Sequence, residues 1–280
     1  MNPTQHIIAS TLAALILSGT AGAQTALVDP FRNTVVTPTT LPKTAQQTLN
    51  AEVVNGTASG GAQEGLGMAL RYTNTLPEQV NSIEYRRQSR FNDEGQTIAL
   101  QQTRSLNERQ RLTVGGNIGE SSLFAQAGLT GLFEHDWGIN HVGATRLGAS
   151  HQRLRNSITQ NSLLLEQAGR ISVGASALIW QVGRQQGVSS PGDRSFHATY
   201  VVAQYQSPDR WRALLRRQWS SEAFQQVSNT GGRADFSSQN LRVTVGYEWR
   251  ARNWISLYHD RYDNPFYDRR QVGLMLEHSW

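Results

Sequence analysis

The sequence predicts an all-β fold, a closed antiparallel transmembrane β-barrel of about 14 strands, with about 12 strands as the alternative. Three observations support this fold class. Short segments of alternating apolar and polar residues recur along the chain, turn residues separate them, and the last segment alternates up to Trp280. A hydrophobic content of 38% agrees with a barrel, because each membrane-crossing strand turns only every second side chain toward lipid.

The N-terminal part of the chain has the pattern of an export signal. Residues 1–23 combine an apolar run from Ile7 to Leu17 with the small residues Ala21 and Ala23, so we expect a signal peptide cleaved after Ala23. Residues 24–47 contain three prolines and no sustained period, which predicts a flexible periplasmic arm. Residues 48–280 are the predicted barrel. The chain contains no cysteine, so disulfides do not contribute to its stability.

The clearest alternation closes the chain. One face of the segment 271–280 carries Val272, Leu274, Leu276, His278 and Trp280, and we expect this face to contact lipid. Leu274, Leu276 and Trp280 are therefore the predicted C-terminal signal for the outer-membrane assembly machinery. The segments 65–72 and 241–249 follow the same rule.

The remaining segments are assigned by weaker alternation and by the length of the connections between them. Residues 170–179 are interpreted as one strand with Ile171, Val173, Ala175, Ala177 and Ile179 on one face. Residues 182–194 and 220–236 are interpreted as long external loops, whereas 207–210 and 251–253 are short periplasmic turns. An even number of strands leaves both ends of the barrel in the periplasm.

Residues 84–138, followed by the closing segment 247–280, resemble the YaiO-type family of small outer-membrane β-barrels. The likeness lies in the strand rhythm, in short turns such as SLNER, and in the aromatic last strand. The resemblance covers most of the chain after its N-terminal arm. It implies an outer-membrane location and brings no catalytic motif. Similar barrels close exopolysaccharide exporters that carry periplasmic helical repeats, and this chain has no such repeats.

Arginine dominates the positive charge, because Lys43 is the single lysine among 26 basic residues, against 21 acidic ones. The predicted lumen-lining residues are Arg71, Arg86, Arg111, Arg216, Arg242, Glu248 and Glu277. Two interpretations remain open. A water-filled lumen rich in guanidinium groups would favour anionic solutes. Alternatively, interleaved Arg and Glu residues would form a satisfied network that fills the lumen.

Aromatic residues near strand ends predict interfacial girdles, with a sugar-stacking track through the lumen as the alternative. This set comprises Trp211, Trp219, Trp249, Trp254, Tyr258 and Trp280. Arg184 and Arg194, assigned to external loops, are candidates for contact with the phosphates of lipopolysaccharide.

Histidines beside aspartates are weak candidates for catalysis. His259 and Asp260, like His135 and Asp136, are adjacent on strands and therefore point to opposite faces. The sequence has no G-x-S-x-G elbow, no H-E-x-x-H zinc site and no phosphate loop. We therefore predict no enzyme activity, no metal, no cofactor and no nucleic-acid partner.

Two classes of function remain. The first is a channel or export-associated pore for anionic solutes or polysaccharide. The second is a non-conducting structural or surface-interaction barrel, and an outer-membrane hydrolase ranks below both. The expected partners are outer-membrane lipid, lipopolysaccharide and the barrel assembly machinery, with polysaccharide as the expected cargo of an export pore.

Overall fold

The computed structural model describes residues 45–59, 64–90, 93–120, 124–137, 143–154, 158–190, 192–226 and 233–280. Fourteen β-strands account for most of these residues. The strands are β1 (Gln46–Ala58), β2 (Glu64–Leu76), β3 (Gln79–Arg90), β4 (Asp93–Asn107), β5 (Gln110–Gly119), β6 (Ala127–Asp136), β7 (Gly143–Arg153), β8 (Thr159–Val173), β9 (Ser176–Ser190), β10 (Arg194–Gln206), β11 (Trp211–Gln226), β12 (Arg233–Arg250), β13 (Asn253–Asp263) and β14 (Asp268–Ser279). None of the described residues belongs to a helix long and apolar enough to cross a membrane.

The strands form one closed antiparallel barrel in chain order, and β1 pairs with β14 to close it. The prediction of about 14 strands is confirmed, and the alternative of about 12 is wrong. The seam begins with the pair Thr48 and Ser279, whose hydroxyl groups lie 2.9 Å apart. β1 starts at Gln46, two residues inside the predicted arm. The rest of that arm, and the predicted signal peptide, lie outside the described residues.

Polar side chains predominate among the large buried side chains of this barrel, and apolar side chains are exposed on its outside. The largest fully buried side chains include Arg146, Arg269, Gln88 and Glu166. Every strand from β2 to β14 exposes at least one large hydrophobic residue. One such residue per strand is Leu66, Ile83, Leu100, Val114, Leu129, Leu147, Leu165, Val182, Val201, Leu215, Val243, Leu257 and Val272. This inverted distribution is typical of a barrel whose outer wall contacts lipid.

The barrel has two rims, and a tight turn at one of them separates β8 from β9. We call the end that holds Gln46 and Ser279 the near rim, and the opposite end the far rim. The connection between β8 and β9 at the near rim is a tight turn in which Gly174 has a φ of 60°, a conformation that glycine adopts without steric cost. This turn corrects the interpretation of residues 170–179 as one strand. Ile171 and Val173 face outward on β8, whereas Ala177 and Ile179 face inward on β9.

Two predicted external loops are mostly strand. β9 continues to Ser190, so residues 182–190 belong to the wall, and β11 and β12 extend to Gln226 and from Arg233. The composition of residues 182–190 resembles a loop because the inner face needs polar and small residues. Gly183 and Gly187 lie beneath the rings of Tyr200 and Phe196, which occupy the space of the missing side chains.

Aromatic residues mark the outer wall near both rims. Trp211, Trp249 and Trp280 are exposed near the near rim, and Trp219 is exposed toward the far rim. The ring of Trp211 packs on Tyr247 with centroids 4.8 Å apart. Two predicted girdle residues, Trp254 and Tyr258, instead point inward. They share the inner face of β13 with Ser256 and Asp260, because positions two residues apart lie on the same side of a strand.

Candidate lumenal site

All seven predicted lumen-lining residues lie on the inner face of the barrel, but they lie on two walls with different environments. The packed wall comprises β5 to β10 and contains Arg111. The open wall comprises β11 to β14 with β1 to β3, and it contains Arg71, Arg86, Arg216, Arg242, Glu248 and Glu277. Residues of the open wall are half-buried, whereas the charged network of the packed wall is buried.

The packed wall holds a continuous chain of ion pairs. Arg111 donates from Nε to Glu134 Oε1 at 2.5 Å and from Nη2 to Asp136 Oδ2 at 2.7 Å. Arg146 then bridges Glu134 and Glu166 on the neighbouring strands. Each carboxylate therefore has at least one guanidinium partner, as a buried charge requires.

Neutral groups complete this network. Gln181 Nε2 donates to Glu166 Oε2 at 2.5 Å, and Tyr200 Oη donates to the same oxygen. Tyr200 also belongs to a buried apolar cluster with Leu132, Leu164 and Val202. The charged side chains of this network are buried, with Arg111 itself 8% exposed, so Arg111 does not line a water-filled passage in this arrangement.

The open wall carries separate ion pairs, within one strand or between neighbouring strands, rather than one continuous chain of them. Arg71 Nε lies 3.1 Å from Glu84 Oε2, and Arg86 Nη2 lies 3.0 Å from Glu84 Oε1. Arg242 Nη2 lies 2.7 Å from Asp260 Oδ2. The guanidinium groups of Arg71, Arg86 and Arg242 keep partial contact with solvent, whereas Asp260 is buried.

Further open-wall residues lie closer to the near rim. Arg212 Nη2 lies 3.7 Å from Glu277 Oε2, and its guanidinium carbon lies 4.3 Å from the centre of the Trp254 ring. Glu248 accepts a hydrogen bond from the backbone N–H of Arg252 at 2.5 Å, so it supports the turn between β12 and β13. Its position makes Glu248 a rim residue rather than a group at mid-lumen.

Arg216 marks the boundary between the two walls. Its guanidinium carbon lies 5.1 Å from the centre of the Tyr200 ring on β10, and its Nη2 donates to Gln218 Oε1 at 3.1 Å. The position therefore combines a cation–π contact to the packed wall with half-exposure on the open wall.

Sequence reasoning missed several residues that complete these clusters, namely Glu134, Asp136, Arg146, Glu166, Tyr200 and Asp260. Each alternates with outward apolar or exposed residues, as Glu166 does with Leu163 and Leu165. That period identifies an inward residue. It does not identify the wall, because the wall depends on which strands the fold brings together.

Outside the lumen, the structure places the remaining candidates as follows. Leu274, Leu276 and Trp280 lie on the outer face, and the backbone N–H and C=O of Trp280 pair with Gln47. Arg184 is exposed on β9 and Arg194 begins β10, so neither is in an external loop. Arg194 pairs with Asp235 at 2.7 Å.

The histidine pairs do not form acid–base sites in the described residues. His259 is exposed on the outer wall, whereas Asp260 is buried on the inner wall. His278 contacts Asn253 through Nδ1 and stacks on Trp280 with ring centroids 5.2 Å apart. The described ranges hold no group of three or more His, Cys, Asp or Glu residues arranged for a metal ion.

Comparisons with known proteins identify the fold. No family model and no curated protein sequence matches the chain. The structure is similar to a bacterial polysaccharide outer membrane secretin, with a TM-score of 0.51 and 10% identity over 85% of this chain and 99% of that chain.

Two further structures are similar at lower scores. The CymD monoaromatic hydrocarbon channel has a TM-score of 0.48 and 8% identity, covering 84% of this chain and 87% of that chain. A loop L8 deletion mutant of OmpT, an outer membrane protein of Vibrio cholerae, has a TM-score of 0.46 and 9% identity, covering 85% and 98%. At these identities the likeness shows a shared closed antiparallel barrel and nothing about a ligand.

Proposed function

We propose that this protein is an outer-membrane channel whose passage follows the open wall and favours anionic solutes. The inverted surface supports the membrane location, because a closed barrel pairs every wall amide and carbonyl within itself and presents an apolar exterior to lipid. Fourteen strands lie between the eight-stranded barrels filled by side chains and the larger porins that leave an aqueous channel.

One observation carries the anion preference. In three of the four ion pairs described for the open wall the guanidinium is more exposed than its carboxylate partner; in the fourth, close to the near rim, Arg212 is 23% exposed and Glu277 31%. The side-chain exposures are 23% for Arg71 and 19% for Arg86 against 13% for Glu84, and 15% for Arg242 against 2% for Asp260. The carboxylates lie behind the guanidinium groups, so a solute in the passage meets positive charge first.

The proposal includes the route to the membrane. Residues 1–23 act as the signal peptide, cleavage follows Ala23, and the assembly machinery inserts the barrel through its last strand. The near rim then faces the periplasm, because both ends of an even-stranded bacterial barrel lie there. Membership in the YaiO-type family stays a prediction. We include polysaccharide, which the name of the similar secretin mentions, as one candidate form of the anionic solute.

The packed wall favours a second candidate, a non-conducting structural barrel. Its buried ion pairs and its apolar cluster occupy the inner face of β5 to β10, and ordered side chains across the open wall would close the passage.

Planar-bilayer recording separates these candidates. We expect the refolded protein to conduct, with a reversal potential under a KCl gradient that indicates anion preference. The triple variant Arg71→Gln, Arg86→Gln and Arg242→Gln, which changes the three arginines that carry the argument, should lose most of this preference. Arg87→Gln, which changes an exposed outer arginine next to Arg86, should keep it. A heat-modifiable gel shift verifies that every variant is folded.

Two results would contradict the proposal. Folded wild-type protein without conductance would favour the structural barrel. A conducting triple variant with unchanged selectivity would exclude the arginines of the open wall as the selective groups.

A further inference from the structure

We infer that the outer face of β10 to β13, at the far rim, binds the headgroup of a phosphorylated glycolipid from the surrounding membrane leaflet. This inference rests on the membrane location proposed above, and it concerns the outside of the barrel rather than its lumen. It is carried by an abrupt chemical boundary, by a groove at that boundary, and by the difference between the two rims.

The boundary follows from the register of β11 to β14. One row of outward-facing residues across these strands is entirely apolar and consists of Ala213, Val245, Leu257 and Leu274. Two rows toward the far rim, the aligned residues are Arg217, Leu241, Arg261 and Arg270. Four residues of strand span about 13 Å, so the outer wall changes from apolar to guanidinium-rich over a short distance.

A groove with a volume of about 550 Å³ opens on the far-rim side of this arginine row. Outward-facing His197, Thr199, Trp219, Gln239 and Asp263 contribute to its lining. Trp219 is exposed, and the Arg217 guanidinium carbon lies 5.5 Å from the centre of its ring. Arg217 also donates a hydrogen bond to Gln239, so its guanidinium is held at the edge of the groove.

Other charges lie around the same groove. Arg184 on β9 is opposite Thr199 on β10 in the strand register, and Thr199 is in turn opposite Trp219 on β11. Arg261 lies 3.1 Å from Asp263 through Nε, in an exposed pair. The single carboxylate among the named lining residues is therefore already paired, and Arg184, Arg217 and Arg270 add positive charge around it.

These groups match one kind of ligand. An exposed indole provides a face on which a sugar ring stacks, hydroxyl and amide side chains hydrogen-bond sugar hydroxyls, and guanidinium groups bind phosphate in a bidentate manner. The apolar rows below the groove would contact the acyl chains of the same molecule. A soluble anion would not contact that apolar surface, so the arrangement favours a lipid over a free phosphate compound.

The near rim of the same strands supports this specificity. Its outward-facing strand residues include Trp211, Tyr247, Trp249 and Ile255, none of which carries a charge. The exposed arginines of this rim, Arg210, Arg250 and Arg252, lie in the turns or at the last residue of a strand. At the far rim, Arg217 and Arg261 instead lie on the outward face of the strands, beside the apolar belt, where anionic headgroups of the leaflet would meet them.

Binding of bisphosphorylated lipid A to the refolded full chain in neutral detergent micelles tests the inference. We expect saturable binding that weakens about tenfold or more in the double variant Arg217→Gln and Arg261→Gln, because the variant loses charge-assisted hydrogen bonds to phosphate. Trp219→Leu should also weaken binding. The control Arg87→Gln and Arg153→Gln changes two exposed arginines on β3 and β7 and should keep the wild-type affinity.

Each of four outcomes would overturn the inference. Equal affinity for lipid A with its phosphates removed would exclude phosphate recognition, and equal weakening in the control would indicate diffuse attraction. Displacement of lipid A by inorganic phosphate at equal concentration would indicate a site for a free anion. A heat-modifiable, conducting barrel that fails to bind contradicts this inference alone, whereas a chain found soluble in the periplasm contradicts the proposed function as well.

Discussion

Tyr258 on β13 donates a hydrogen bond from Oη to Glu52 Oε1 on β1 at 2.6 Å, across the intervening strand β14. The tyrosine ring reaches that far because it lies over Gly273 of β14, where an added Cβ would come within 2.2 Å of the ring. The Arg242 guanidinium carbon lies 4.2 Å from the centre of the same ring on its lumenal side. Gly273 therefore permits the hydrogen bond between Tyr258 and Glu52 that links β13 to β1 across the seam.

We predict that Gly273→Ala destabilises the barrel by about 1–3 kcal/mol, because the methyl group displaces Tyr258 from the wall and from Glu52. Urea unfolding in lipid vesicles measures the change. Gly131→Ala is the matched control, since nothing lies within 4 Å of the Cβ position at Gly131. Equal stability of the two variants would show that the ring moves freely and that the seam does not depend on this contact.

The outward face of β14 gives a second prediction. Leu274 is exposed half-way along the strand, so Leu274→Arg should cost about 2–4 kcal/mol if that position faces the bilayer midplane. Asn55→Arg places the same charge on the outer face of β1 near the far rim, aligned with Val272, and should cost less than about 1 kcal/mol. Urea stability in vesicles distinguishes the variants, and equal losses would mean that Leu274 does not face lipid.

A third prediction concerns the last residue. Trp280 exchanges two backbone hydrogen bonds with Gln47, at 3.1 and 3.0 Å, and stacks on His278. Deletion of Trp280 removes the first pair of the seam and should slow insertion into vesicles, as measured by the heat-modifiable gel shift. Trp280→Phe retains the backbone pair and an aromatic ring, so it should insert at close to the wild-type rate. Normal insertion of the deletion variant would contradict a role for this residue in assembly.

The sequence predicts side-chain direction well where the alternation is unbroken. On β14 the residues Val272, Leu274 and Leu276 alternate with Gln271, Gly273 and Met275, and the structure places the first set outside. The prediction was wrong between residues 170 and 194 for a physical reason. A turn of two residues around Gly174 interrupts the pattern without changing its composition, and an inner face of Gln, Gly and Ser resembles a loop.

Partners across strands could not be predicted in the same way. Arg71 and Arg111 both precede an outward apolar or aromatic residue, Tyr72 and Leu112, and both point inward. Only the order of fourteen strands around the barrel places Arg71 on the open wall and Arg111 within the buried network. Alternation along a strand determines the face, whereas the residue opposite depends on register between segments that are distant in sequence.

The buried network gives the last prediction. Arg146 is fully buried and bridges Glu134 and Glu166, so Arg146→Met leaves two buried carboxylates without this partner. Removing one member of a buried ion pair costs about 3–5 kcal/mol, because the remaining charge has lost its compensation. Arg87→Met removes an exposed arginine that pairs with Glu94 at 2.6 Å, and its effect on the free energy of unfolding should be far smaller, because solvent screens an exposed pair. The triple change Arg146→Met, Glu134→Gln and Glu166→Gln removes the charges together and should recover part of the loss.

Urea unfolding of the wild type and these three variants in vesicles provides the comparison. If Arg146→Met were no more destabilising than Arg87→Met, water would reach the packed wall, and the division of the lumen into a packed and an open wall would be wrong.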